Sequence, residues 1–161
     1  MNDIPPAPES QATAPPGFKL LELTPKGNFA DVNGPLWRRI EEGKLTIGFR
    51  VEARHCNPAG GCHGGMMMTF ADMLLGLGSN FAERLNRFLP TINLTGDFLA
   101  PAPLGSWVEG RAEVLRVTRN LVFSQAIITA DGVPAMRVSA VMKLGASFEE
   151  VMAKGQAKVP G

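Results

Sequence analysis

Residues 55–80 read HCNPAGGCHGGMMMTFADMLLGLGSN, a glycine-rich turn that runs straight into an apolar stretch with a single carboxylate, Asp72, near its middle. Setting Phe70 at zero and advancing about 100° per residue places Met66, Phe70, Met73, Leu74, Leu77 and Phe81 within about 60° of one direction. That makes a helix with a face suited to burial against a sheet. Met68, Asp72, Leu75, Gly76 and Ser79 fall on the far side, which is also mostly apolar or small. A helix greasy on both sides requires a second cover, and another copy of the chain is the expected one, with Gly76, Gly78 and Ser79 allowing close approach. An acid on a helix is ordinarily solvent-exposed. The neighbours of Asp72 argue against open water, and a carboxylate in apolar surroundings costs free energy unless partnered, an environment in which bases and nucleophiles are tuned.

The turn has its own chemistry. Gly60-Gly61 and Gly64-Gly65 flank Cys62-His63. A helix starting near Gly64 presents unpaired backbone N–H groups and the positive end of its dipole at this point, and glycine lets a ligand approach the backbone closely. An oxyanion or polarised carbonyl would be stabilised there. Phosphate binding is the competing use of the same geometry, but neither GxGxxG nor a Walker A pattern is present. His55, Cys56, Cys62 and His63 suggest zinc. The spacing HC-x5-CH matches neither common pattern, in which paired ligands sit two to four residues apart, so no metal is expected. His55 reads equally well as a satisfied histidine at a strand end.

Outward from this stretch, the 161-residue chain is 45% hydrophobic and carries a net charge of +1, from 16 basic and 15 acidic residues. One globular domain with a real core is expected over residues 18–147, between a Pro/Ala/Ser-rich disordered tail at 1–17 and a frayed, partly helical tail at 148–161. The charge balance offers no nucleic-acid or polybasic membrane surface. No apolar run is long enough to span a bilayer. The N-terminus has no secretory pattern, and with two cysteines a reducing, cytoplasmic setting with free thiols is expected.

Leu36–Glu42 reads as one or two helical turns ended by Gly43. Leu45–Ala53 alternates as a half-buried strand. The helix runs to about Leu89, closed by Pro90. Thr91–Leu99 forms a strand with Ile92, Leu94 and Phe98 on one face, stopped by PAPLG at Pro101–Gly105. Trp107–Thr118, Leu121–Ala130 and Val133–Leu144 are further strands, the last two joined at Asp131-Gly132, a hairpin signal. One long helix segregated from a largely antiparallel sheet is an α+β architecture.

At fixed offsets stand Asn57, Gly60, His63, Gly64, Gly65 and Asp72. This pattern, N-x-x-G-x-x-H-G-G with an Asp eight residues after the first Gly of HGG, resembles the hotdog-fold acyl-CoA thioesterases of the phenylacetic-acid-pathway (PaaI-like) type. The resemblance extends from Leu45 to Leu144, and PAPLG is similar to the family's P-x-x-L-G connection. It implies a curled antiparallel sheet wrapped around one long central helix, and hydrolysis of an acyl-CoA to carboxylate and free thiol. By the same resemblance Asp72 is the nucleophile or general base, and the Gly64 N–H polarises the carbonyl. Asn57 helps hold the carbonyl or nucleophile, His63 assists departure of the sulfur, and Thr91 positions water. No cofactor is implied beyond the coenzyme A of the substrate.

Gly64 and Asp72 are eight residues apart, about 12 Å along a helix at 1.5 Å per residue, too far to meet one carbonyl. Gly64 of one subunit facing Asp72 of another solves this, so a homodimer is expected, assembling further to a homotetramer. Arg119, with Arg116 and Arg84 behind it, is the candidate for the coenzyme A phosphates. Met66–Met68 and the loop before Pro35 are candidates for acyl selection, aromatic or medium-chain. A hydratase or dehydratase using His63, and a non-catalytic acyl-CoA sensor, are the alternatives; the mid-helix carboxylate favours hydrolysis over both.

Overall fold

The computed structural model describes residues 13–22 and 27–156. Eight antiparallel strands form one sheet: β1 Lys19–Leu20, β2 Trp37–Glu41, β3 Lys44–Arg50, β4 Thr91–Phe98, β5 Trp107–Gly110, β6 Glu113–Val117, β7 Leu121–Ala130 and β8 Val133–Lys143. Their order is β1-β2-β3-β5-β7-β8-β4, with β6 pairing β7 beside β5. Three α-helices accompany them: α1 Phe29–Asn33, α2 Gly64–Glu83 and α3 Phe148–Gln156. The long α2 lies across the sheet, and the core gathers between them around Phe49, Phe70, Leu74, Leu75, Val108, Ile128, Met136 and Met142, all fully buried. Each such side chain contributes about 1.5–3 kcal/mol of burial, so the helix is held by its sheet contacts. The expected α+β arrangement of a curled sheet around one helix is what forms.

Local differences have physical causes. Leu36–Glu42 is not helical: residues 37–41 pair with β3 through a two-residue turn in which Glu42 (φ 50°) and Gly43 (φ 72°) are both left-handed, the hairpin geometry that matches strand twist. Asp131 and Gly132 do the same between β7 and β8. α2 stops at Glu83, short of Leu89, because Arg84 caps it in a left-handed conformation (φ 51°) and the Asn80 side chain accepts the Arg87 amide. The strand expected over Trp107–Thr118 breaks at Arg111-Ala112. α2 crosses so close there that a Cβ on Gly78 would lie 2.5 Å from the Ala112 methyl.

That close crossing also rotates the helix. Met66, Met67, Phe70, Ala71, Leu74, Leu75, Gly78 and Ser79 face the sheet, while Met73 and Leu77 are only half-buried and Phe81 is exposed. The buried face is centred about 70° from the direction set by the largest side chains, because small Ala71 and Gly78 admit the sheet. Gly78 and Ser79 therefore serve the chain's own packing, not a partner's approach. The outer ridge is Thr69, Asp72, Met73, Gly76 and Asn80, and a Cβ at Gly76 would meet nothing within 4 Å.

Of the expected N-terminal tail, residues 1–12 lie outside the described residues. Beyond them the Arg50 guanidinium donates to the Thr13 carbonyl (3.0 Å) and Phe18 sits edge-on to Trp107. The C-terminal segment contains α3, opened by Ser147 and Glu150 in a reciprocal capping box; residues 157–161 are outside the described set. No helix among the described residues is long and apolar enough to cross a membrane.

Candidate active site

The glycine-rich turn is a clasp built on Asn57. Its carboxamide oxygen accepts the amides of Ala59 (2.9 Å) and Gly61 (3.3 Å), and its backbone exchanges with Gly60 and Gly61. Gly60 takes the left-handed conformation that closes the loop (φ 82°). PAPLG lies alongside: Cys62 N–H donates to the Ala102 carbonyl (2.8 Å) and Leu104 N–H to the Gly60 carbonyl (3.3 Å). The connection the sequence marked as a stop is thus the turn's support.

His63 caps α2. Its Nδ1 accepts the Gly65 amide (2.9 Å), which places the imidazole proton on Nε2 and leaves an exposed donor there. The amides of Met66 and Met67 both go to the His63 carbonyl. The Gly64 amide alone in this first turn meets no acceptor among the described residues. It opens into a recess of about 410 Å³ lined by Asn57, Cys62, Met67, Phe98 and Ala100. A side chain at Gly64 would press on the Phe98 ring, 3.2 Å from a Cβ built there. Phe98 is a neighbour the sequence did not reveal, because strand alternation gave only the face it shares with Ile92 and Leu94, and the structure leaves it 57% exposed beside Gly64.

Asp72, half-buried on the outer ridge of α2, accepts a hydrogen bond at Oδ1 from the Thr91 hydroxyl at 2.5 Å. A β-bulge makes this contact. Leu94 and Gly96 face inward, so regular alternation would turn Thr91 outward. The irregularity between Thr91 and Asn93 inserts Ile92 as an extra residue and re-aims Thr91 at the helix. Ile92 is left 60% exposed, not packed with Leu94 as the alternation suggested. One chain therefore assembles two separate groupings, Asn57–His63–Gly64 at the start of α2 and Asp72–Thr91 eight residues along it.

His55 stands apart from both. It is buried against Phe49, its Nδ1 accepts the Glu52 amide (3.0 Å), and its carbonyl accepts the His63 amide (2.8 Å). Burial, reinforced by the Arg54 guanidinium, holds its pKa below the ordinary 6.5. It braces the turn through Nδ1 and its carbonyl, but the expected satisfied histidine is only half realised, because its buried Nε2 meets no hydrogen-bond partner among the described residues. Burial, with Cys56 close by, pushes the Cys62 thiol up to about 12. Among the described residues no group of three or more His, Cys, Asp or Glu is placed to hold a metal ion.

A family model described as the thioesterase superfamily matches residues 59–135. The Pseudomonas aeruginosa protein named Putative esterase PA0474 is 31% identical over 114 residues, covering 70% of this chain and 83% of that protein. The PaaI protein of the E. coli phenylacetic acid degradation operon superposes with a TM-score of 0.64 at 20% identity, over 73% of this chain and 85% of its own. A hypothetical thioesterase from Streptococcus pneumoniae TIGR4, solved with coenzyme A, gives 0.60 at 17%, over 70% and 87%. With the sheet wrapped on α2 in the hotdog manner, and the family match covering most of the turn, the helix and strands β4 to β7, the chain belongs to the thioesterase superfamily and is a thioester hydrolase.

Proposed function

We propose that the chain is an acyl-CoA thioesterase whose active site is shared between two subunits. The observation that carries this reading is the separation of the two groupings: an unaccepted Gly64 amide at the helix start, and an Asp72–Thr91 pair about 12 Å further along the same helix. Neither is complete alone. Antiparallel approach of two α2 helices brings the Gly64 amide of one subunit to a thioester carbonyl attacked from Asp72 of the other. β4 supports that approach, since it is an edge strand of the sheet with Ile92 and Phe98 exposed.

In that site the Gly64 N–H and the helix dipole stabilise the developing oxyanion. The Asp72 carboxylate either attacks the carbonyl carbon, giving a mixed anhydride and the coenzyme A thiolate, or removes a proton from attacking water. Thr91, already bonded to Oδ1, orients carboxylate and water. The His63 Nε2–H is the donor available to the departing sulfur. Asn57 acts chiefly through the turn, its oxygen being engaged there while its NH₂ remains a donor. For the coenzyme A phosphates Arg119 is favoured over Arg84 and Arg116. Its turn meets Leu144 through Asn120, beside the Lys143–Pro90 contact that starts β4, whereas Arg84 caps the far end of α2. The S. pneumoniae structure with bound coenzyme A supports this class of substrate.

The test is thioester hydrolysis over a panel of aromatic and medium-chain acyl-CoAs. Wild type releases free thiol, and Asp72→Asn lowers kcat/KM by about a hundredfold or more. Wild-type inactivity across the panel removes the reading, and an unimpaired Asp72→Asn removes the catalytic assignment.

A further inference from the structure

Cys56 and Cys62 stand directly opposite each other, as an antiparallel pair at the neck of the glycine-rich turn. The hydrogen bonds that bracket them run from His63 N–H to the His55 carbonyl and from Asn57 N–H to the Gly61 carbonyl, both 2.8 Å. None joins the two cysteines. They are therefore a non-hydrogen-bonded pair, the kind with Cα atoms about 4.5 Å apart and side chains on one face. Disulfides span Cα separations of roughly 4.4–6.8 Å. Each thiol now rests on a backbone carbonyl, Cys56 Sγ at 3.4 Å from Glu52 O and Cys62 Sγ at 3.9 Å from His63 O. Cys62 also lines the recess over the Gly64 amide.

We propose that Cys56 and Cys62 form a reversible intramolecular disulfide when exposed to a low-molecular-weight disulfide, and that closing this bond disables the Gly64 half of the site. The second clause rests on the acyl-CoA hydrolase reading above. Cys56 loses its proton and its thiolate attacks the oxidant, forming a mixed disulfide and expelling one thiolate. Cys62 then loses its proton and attacks Cys56 Sγ, forming the internal bond and expelling the second. Two protein thiols are oxidised by two electrons, the oxidant is reduced to two thiols, and the protons pass to the expelled thiolates. Burial keeps the Cys62 thiol up at about 12, so ring closure gains about tenfold per pH unit through neutrality. Closure draws both sulfurs off their carbonyls and twists the neck between Asn57 and His63. A displacement of about 1 Å in such a site costs about 100-fold in rate.

The whole protein is incubated with oxidised glutathione, freed of it, and examined by thiol titration and intact mass. Both free thiols disappear, the mass falls by about 2 Da with no adduct retained, and dithiothreitol restores the original. Cys62→Ser keeps a glutathione on Cys56. In the closed protein, loss of thioester absorbance from an acyl-CoA slows by about tenfold or more and recovers on reduction. A stable adduct on wild type, two unreacted thiols, or bonds only between chains would overturn the pairing. Unchanged hydrolysis by fully closed protein would overturn the switch. Mass and thiol count need no substrate, so a bond that closes in a chain inactive on every acyl-CoA counts against the hydrolase reading and leaves the disulfide standing.

Discussion

His55 and His63 sit eight residues apart and do different work. His63 is exposed at the helix start with its proton fixed on Nε2 by the Gly65 amide. His55 is buried, and its folded pKa lies below the ordinary 6.5. As pH falls below that ordinary value, the unfolded chain takes up the proton first. His55 therefore contributes its full stability above 6.5, and that contribution is lost progressively through the window down to the folded value. Denaturant unfolding from about pH 7.5 to about pH 5 should show wild type losing stability more steeply than His55→Gln; equal slopes would place the acid sensitivity elsewhere. The catalytic candidates were legible as residue types at fixed offsets, since Asn57, His63, Gly64 and Asp72 depend on local spacing. What Asn57 does was not legible. Its oxygen closes the turn, a consequence of loop geometry that no spacing encodes.

Elements were legible where local pattern and tertiary packing agree, as in the alternation of β3, the Asp131-Gly132 turn and the existence of α2. They were misread where packing overrides pattern. The face of α2 was assigned by its largest side chains, but Ala71 and Gly78 set the contact with the sheet. β2 was too short for its own periodicity to prevail, and its partner β3 decides it. The bulge in β4 is the sharpest case, because alternation alone sends Thr91 to the wrong face. Thr91→Val removes the hydroxyl that bonds Asp72 while leaving the bulge and the ladder from Leu94 onward in register. We expect acyl-CoA turnover to drop by about tenfold or more with the unfolding midpoint little changed. A Thr91→Val variant that keeps full activity would show that the Thr91–Asp72 bond is dispensable.

For the whole molecule, the proposed shared site makes a prediction about mixtures. Gly64→Pro removes the unaccepted N–H at a helix position that tolerates proline, and Asp72→Asn removes the carboxylate; each alone is inactive. In a mixed dimer both lesions fall in one site and the other is intact, so random reassortment should recover about a quarter of wild-type activity. No recovery would confine each site to a single chain. The eight-residue interval from Gly64 to Asp72 then has a consequence in mass action. A helix is a rigid ruler, and in the proposed shared site its rise keeps either end of the interval from finishing the site alone, so that turnover would count dimers and not chains. Specific activity should fall on dilution once the concentration drops below the dimer dissociation constant, and return when inactive Asp72→Asn protein is added as a partner.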